Sequence, residues 1–230
     1  MRRARDEADV LTRSERASAS HPLRLVAQNL VCQRGGRIVF RDVSFSLEAG
    51  EALVVTGPNG AGKSSLLRQL AGLVDVAAGQ LRLEGGVPDA DIAEQAHYIG
   101  HLDALKAAMS VRETADFWAG FLGGTEADVE RAFEVFDLGA LRDLPVAYLS
   151  AGQRRRLTLA RLLIAPRALW LLDEPSVALD AASLARLVGA MEIHLESGGL
   201  IVAATHQPLG FAQSRSLDLV SVRTVVEVQA

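Results

Sequence analysis

Cysteine is all but missing from this chain of 230 residues: Cys32 stands alone, so no internal disulfide can form, and a reducing cytosol suits it. An excess of positive charge is missing too. The 24 lysines and arginines face 28 aspartates and glutamates, for a formal net charge of -4, so nothing draws the chain strongly to nucleic acid and no such partner is expected. Long apolar runs are absent. The most apolar stretch, LLIAPRALWLL at 162–172, is broken by Pro166 and Arg167. It falls short of the roughly 18 residues that a membrane-crossing helix needs. Residues 1–21 mix both charges with serine and alanine and contain no apolar core of the kind a secretory signal carries. They read as a disordered tail, or as the product of a start codon set too early. Internal repeats and low-complexity linkers are also lacking. What remains is a chain with 49% hydrophobic residues, enough for a sizeable core, in a length that suits one domain over 22–230 with a subdomain inside it.

The patterning alternates between two periods. LRLVAQNLV at 23–31 reads as an edge strand, and VSFSL at 43–47 alternates apolar and polar residues with a period of two. EALVVTG at 51–57 is a short apolar run closed by glycine, as a buried strand should be, and a helix from Lys63 to about Leu70 follows it. GQLRLEG at 79–85 alternates again. From 102 to about 165 the character turns helical. Ser110 with Glu113 forms a capping box, Thr125 opens a helix with Val129, Phe133 and Phe136 on one face, and Ser150 opens AGQRRRLTLARLLI. ALWLL at 168–172 and LIVAAT at 200–205 return to buried strand, separated by a helix that Asp180 caps and Gly198 and Gly199 stop. The tail from 217 reads as β-rich. The whole is an α/β core interrupted by a helical insert.

GPNGAGKSS, made of Gly57, Pro58, Asn59, Gly60, Ala61, Gly62, Lys63, Ser64 and Ser65, fits the pattern G-x-x-x-x-G-K-[ST] between a buried strand and a helix. Its glycines let backbone N–H groups turn inward around phosphate oxygens, and the helix start adds partial positive charge. In this motif Lys63 reaches the β- and γ-phosphates and Ser64 ligates Mg²⁺. In ALWLLDEP, Asp173 ends a strand where it can hold Mg²⁺ through water, and Glu174 beside it can polarise a water for in-line attack. An acidic turn with no chemistry is the plainer alternative for that pair taken alone. ATHQ places His206 past another buried strand, within plausible reach of a γ-phosphate.

LSAGQRRR at 149–156 offers a second anion-seeking helix start. Ser150 caps it, and the amides of Ala151, Gly152 and Gln153 face outward. One ATP has no use for two helix starts of one chain on opposite sides. Two copies arranged head to tail would use both, each giving Ser150, Gly152 and Gln153 to the nucleotide of the other, in a homodimer with ATP sandwiched. The alternative is a simple N-cap on an amphipathic helix, with Arg154–Arg156 as its solvated face.

In this order and spacing, the P-loop, LSAGQ, LLDEP, SVALD and THQ resemble an ABC transporter nucleotide-binding domain over roughly residues 23–225. LSAGQ is similar to that family's LSGGQ signature, with Ala151 in place of glycine. The resemblance implies a P-loop NTPase with a RecA-like core, a helical subdomain at about 102–165 and an antiparallel β subdomain. It also implies ATP and Mg²⁺ as ligands, with Asp180 in a loop that couples two sites across a dimer. Two positions depart from the family. Where it carries an aromatic residue against adenine, this chain has Arg34, whose planar guanidinium can stack on a base. Where it carries a glutamine after a short strand, this chain has His101, which can still bind Mg²⁺ or water. The segments LVCQRGGRIVFRDVSF, YIGHLDALKAAMSVRE and LSAGQRRRLTLARLL are similar to ATP-binding subunits of cytochrome c maturation, or haem exporter, systems. That implies a peripheral protein on the cytoplasmic face of a bacterial inner membrane, working with integral membrane subunits. The ATPase of an unrelated ABC exporter is the alternative. A soluble ABC protein of translation or DNA repair fits less well with one cassette, and a regulator without turnover is opposed by Glu174. No C-x-x-C-H occurs and none of the five histidines is spare for iron, so no haem site is expected on this chain.

Overall fold

The computed structural model describes residues 22–206 and 214–219. The expected tail at 1–21, the expected β structure beyond 219 and Gln207 of the ATHQ segment lie outside them. The chain opens with strands β1 (Arg24–Arg34), β2 (Arg37–Glu48) and β3 (Ala52–Thr56), then helix α1 (Lys63–Leu70) and strand β4 (Ala78–Glu84). Strand β5 (Ala96–Ile99) leads into helices α2 (Val111–Leu122), α3 (Glu126–Val135) and α4 (Ala151–Ile164). Strand β6 (Leu169–Asp173), helix α5 (Ala181–Glu196) and strands β7 (Leu200–Ala204) and β8 (Ser214–Asp218) follow.

Two sheets result. An antiparallel sheet has the order β2-β1-β4, and a parallel sheet has the order β5-β6-β7-β3-β8. The expected edge strand is therefore the middle one. β1 is flanked by β2 through a tight hairpin and by β4, which returns more than forty residues later along the chain. Gly35 and Gly36, at φ 53° and 77°, make the two-residue turn of that hairpin. Two successive left-handed residues give a turn whose twist matches that of paired strands. Pairing runs from Arg24↔Glu48 up to Arg34↔Arg37, so both strands extend well past the stretches that alternate most clearly in sequence.

The parallel strands are apolar on both faces because both faces are covered. Leu169, Leu171, Leu200, Val202 and Ala204 join one core with α1 and the antiparallel sheet. Trp170, Leu172, Ile201 and Ala203 point the other way, into a core with α5 and the helical segment. This is the period of two read through a strand buried on both sides. In the helical segment, capping boxes fix each start: Ser110 with Glu113, Thr125 with Asp128, and Ser150 with Gln153. Helix begins at Val111; residues 102–110 form a connection rather than helix, because the first capping box stands only at Ser110. Asp180 caps α5 by accepting from the Ser183 amide, and Gly198, at φ 85°, lies just past its end.

Two histidines are built into this frame as neutral groups. His97 is 3% exposed, with Nε2 2.6 Å from the Ala165 carbonyl. Burial pushes it down to about 4, against a weaker opposing pull from that hydrogen bond. His194 stacks on Trp170, with ring centroids 4.0 Å apart, and burial also takes it to about 4. Unfolding releases both to the ordinary value near 6.5, so between pH 6.5 and 4 the unfolded chain binds more protons than the native one. Stability is therefore full above 6.5 and drains away as pH falls towards 4, by about 3 kcal/mol for His97. His97→Gln, which keeps a donor for Ala165, is expected to flatten this acid limb in urea melts measured from pH 7.5 to 4.5. An unchanged limb would mean that His97 is not buried neutral.

Candidate nucleotide site

Strands β3, β6 and β7 lie side by side in parallel, so the chain leaves all three at the same edge. In register, Asp173 stands beside Ala204 and Val55 beside the same residue from the other side. The loops after them converge on a cleft of ≈ 600 Å³. It is lined by Asn59, Gly60, Gly62, Lys63, Ser64, Ser65, His101, Asp173, Glu174 and His206, with Val39 and Val177 as apolar neighbours. Crevices at the carboxyl ends of parallel strands are where such sheets bind ligands.

The P-loop needs its glycines for distinct reasons. Gly62, at φ 106°, is the N-cap of α1, and a Cβ there would come within 2.7 Å of Val39 Cγ1 and 3.0 Å of the Phe40 ring. β2 is thus packed directly onto the start of the helix. Lys63, 8% exposed, folds its ammonium back onto the loop, donating to the carbonyls of Gly57 (2.7 Å) and Pro58 (3.2 Å). Its Nζ also lies 3.2 Å from His206 Nε2. Asn59 Oδ1 stands 3.2 Å from the same imidazole nitrogen. Ala61 is buried beneath the turn.

Facing the loop, Ser64 Oγ donates to Asp173 Oδ1 at 3.0 Å, while Asp173 Oδ2 is buried with no hydrogen-bond partner. A buried anionic oxygen left without a donor is a strong site for a cation. The hydroxyl and carboxylate fit a hard divalent ion such as Mg²⁺, whose oxygen ligands they would supply. Glu174 sits at φ 48°, the left-handed region that a non-glycine residue enters only at a cost. Its amide donates to the Ala204 carbonyl at 2.8 Å, which fixes that turn against β7. One carboxylate oxygen accepts from the His206 amide at 3.4 Å, and the other lies 3.5 Å from His206 Nε2. His206 therefore stands between the Lys63 ammonium and the Glu174 carboxylate, within 3.2 Å of the one and 3.5 Å of the other.

The remaining sequence-selected residues lie elsewhere. Arg34 is exposed at the β1–β2 turn and lines a separate depression with Gly35, Gly36 and Gly72 to Asp75; the side chain of this hairpin that lines the cleft is Val39. His101 does line the cleft and is exposed. Ser150, Gly152 and Gln153 do not line it. Ser150 Oγ accepts from the Gln153 amide at 3.2 Å, and Gln153 Oε1 accepts from the Ser150 amide at 2.8 Å. Gly152 packs so closely that a Cβ would lie 3.0 Å from the Ala178 carbonyl, in the segment leading to Asp180.

The three arginines are not a solvated face. Arg154 donates to the Leu149 carbonyl at 2.6 Å, and Arg156 binds the Phe136 and Asp137 carbonyls and the Asp137 carboxylate. Arg155 is 3% exposed and reaches behind the cleft to the carbonyls of Asp173, Glu174, Pro175 and Gly100. Reading the sequence as far as three like charges misses it. The signal was helical phase: Arg155 is four and seven residues before Leu159 and Leu162, both buried, and so shares their stripe.

The ABC transporter family profile matches residues 40–177. The chain belongs to the ABC transporter family. Membership makes it an ATPase of that family. Among similar ABC proteins is the "Cytochrome c biogenesis ATP-binding export protein CcmA" of Rhodopseudomonas palustris (strain BisB5), 54% identical over 188 residues, which are 82% of this chain and 94% of the relative. The protein of the same description from Rhizobium meliloti (strain 1021) is 48% identical over 202 residues, 86% of this chain and 98% of the relative. A solved putative ABC transporter ATP-binding protein from Pyrococcus furiosus shares the fold, with a TM-score of 0.76 at 21% identity, covering 87% of this chain and 100% of that one. Among the described residues no helix is long and apolar enough to cross a membrane.

Removing the Lys63 ammonium should be the most damaging small change in this ABC cleft. Lys63→Ala is expected to lower ATP hydrolysis on the order of 100-fold or more, the scale of losing one preorganised charge on a transferring group. The check is phosphate release by the assembled complex. Turnover at the wild-type rate would show that Lys63 does not serve the phosphates.

Proposed function

We propose that this chain is the ATP-hydrolysing subunit of a bacterial haem-export complex for cytochrome c biogenesis, held peripherally at the cytoplasmic face of the inner membrane. The observation that carries this reading is the similarity, at 48% to 54% identity over 82% to 86% of the chain, to ATP-binding export proteins of that system. In this reading Lys63 and the backbone amides of the P-loop hold the β- and γ-phosphates. Ser64 and Asp173 would hold Mg²⁺, with His101 also lining the cleft, and the ion when bound would neutralise phosphate charge. Glu174 accepts a proton from the attacking water, and His206 orients the γ-phosphate beside it. The base lies towards the β1–β2 hairpin, where Val39 offers apolar contact, whereas Arg34, the sequence candidate for stacking on it, lines a separate depression.

Partners follow from surfaces left uncovered. α2 exposes Phe117 and Phe121, whose rings stack 6.2 Å apart, and Leu102 and Tyr148 are largely exposed as well. Exposed aromatic surface of this kind favours a covering protein, here the integral membrane subunits. The N-terminus of α4, at Ser150, Gly152 and Gln153, does not line its own cleft. It is assigned to the γ-phosphate of a second copy, giving a homodimer with two ATP molecules between the chains.

Two experiments test this. Deleting the gene is expected to leave apocytochromes synthesised but without covalent haem in the periplasm. Normal haem-stained c-type cytochromes in the deletion strain would reject the cytochrome c reading and leave an ABC ATPase of another exporter.

For the homodimer, Glu174→Gln is expected to retain ATP and dimerise, because an amide is a poor acceptor for the proton of water. Adding Ser150→Arg should prevent dimerisation while leaving nucleotide binding intact, since the long cationic side chain fills the phosphate's place. Light scattering with ATP reads the first and fluorescent-nucleotide titration the second. A double variant that still dimerises would overturn the shared site.

A further inference from the structure

Arg155 is the most heavily committed buried cation among the described residues that the reading above does not use. It stands in the first turns of α4, five residues after Ser150, and crosses behind the cleft rather than into it. Its Nη2 donates to the carbonyls of Asp173 (3.2 Å) and Glu174 (2.8 Å), and its Nε to that of Pro175 (3.4 Å). Its Nη1 turns the other way, to the Gly100 carbonyl (2.9 Å) and the Asp103 carboxylate (3.4 Å). One rigid fork thus holds two loops, the one after β6 that carries Glu174 and the one after β5 that carries His101.

Three consecutive carbonyls rarely point at one donor group. They do so here because the chain turns through a left-handed residue, Glu174. Left alone, that backbone would gain by relaxing to negative φ, and the carboxylate would swing with it. The guanidinium removes that option, because relaxation would strand buried carbonyls without donors. Stability is a poor reason for this arrangement. Burial works against the charge, and Asp103, the one carboxylate in hydrogen-bond contact, is itself partly exposed. An apolar residue of similar volume usually serves a buried position better than a charge does. A planar, forked donor that satisfies carbonyls on two separate loops is what neither an apolar residue nor lysine can replace.

We propose that Arg155 is a positioning residue for ATP hydrolysis: it fixes the left-handed backbone that aims Glu174, and it ties that aim to residues 100–103 and to the start of α4. The proposal rests on Glu174 as the base. It assigns to the helix that begins at Ser150 a second task besides its N-terminus, namely that a shift of α4 or of the 100–103 loop is felt at the catalytic carboxylate through a single side chain.

The test is a double-mutant cycle on the full chain in its assembled complex. Arg155→Lys keeps the charge but loses the fork, and it is expected to lower kcat by about 10- to 100-fold, the cost of a carboxylate displaced by about 1 Å. KM for ATP and fluorescent-nucleotide affinity should stay within about threefold, because no P-loop contact changes. In the Glu174→Gln background the same substitution should cost little further, since the group it aims is already gone. A merely structural role would lower kcat and nucleotide affinity together and add its loss in both backgrounds, and either result overturns the proposal. Asp103→Asn, at the more exposed end of the fork, is expected to lower kcat several-fold with the same unchanged KM. It carries the test should Arg155→Lys fail to fold, and an unchanged kcat there rejects the link to the 100–103 loop. Wild-type turnover by Glu174→Gln alone would instead refute the base assignment.

Discussion

Strands β3, β7 and β6 are covered on both faces, one by α1 and the antiparallel sheet, the other by α5 and the helical segment. Such strands have no place for a polar side chain along their length, so polar groups collect where each strand stops. Because the three are parallel and adjacent, those stopping points are neighbours. Lys63, Glu174 and His206 come from sequence positions more than a hundred residues apart at the extremes, yet His206 lies within 3.5 Å of both the others. The cleft is a consequence of how the core is buried, and its chemistry depends on that burial staying intact.

The second sheet completes the cleft by packing, without contributing an ionisable group to it. β2 sets Val39 and Phe40 against Gly62, so the start of α1 is seated by a hairpin from the other sheet. Phe40 is fully buried in the same core as Leu66, Leu67 and Leu70 of α1. The anion site and the antiparallel sheet therefore share one hydrophobic cluster. A change in the packing of β2 reaches the P-loop through Val39 and Phe40, which leave no room for a Cβ at Gly62, rather than through any charge.

Local chemistry was legible in the sequence. GPNGAGKSS, the acidic end of β6 and the helix caps at Ser110, Thr125, Ser150 and Asp180 each depend on residues within a few positions of one another, and short-range spacing carries that information. Long-range pairing was less legible. β1 reads as an edge because nothing near it announces β4, whose pairing closes a loop of more than forty residues. The β1–β2 hairpin left a visible trace in Gly35-Gly36, but the flanking Gln33, Arg34 and Arg37 broke the alternation that would have marked the strands. Arg34 illustrates the same limit: counting residues back from the P-loop gave a position along the chain but not the depression into which the hairpin turns it. Arg155 was hidden between two similar neighbours. Its phase with Leu159 and Leu162 distinguishes it, and only a three-dimensional neighbour, the carbonyl row at 173–175, gives that phase a meaning.

The left-handed backbone at Glu174 also bears on what selection has acted upon. Glycine or asparagine would occupy that φ at lower cost, and a chain kept only for folding or for holding nucleotide would drift towards them. Glutamate at 174 is the less stable choice, and in the proposed function the gain that offsets it comes when a water gives up a proton. Under the proposed function, the local instability at Glu174 is the cost of keeping an acidic side chain at that turn.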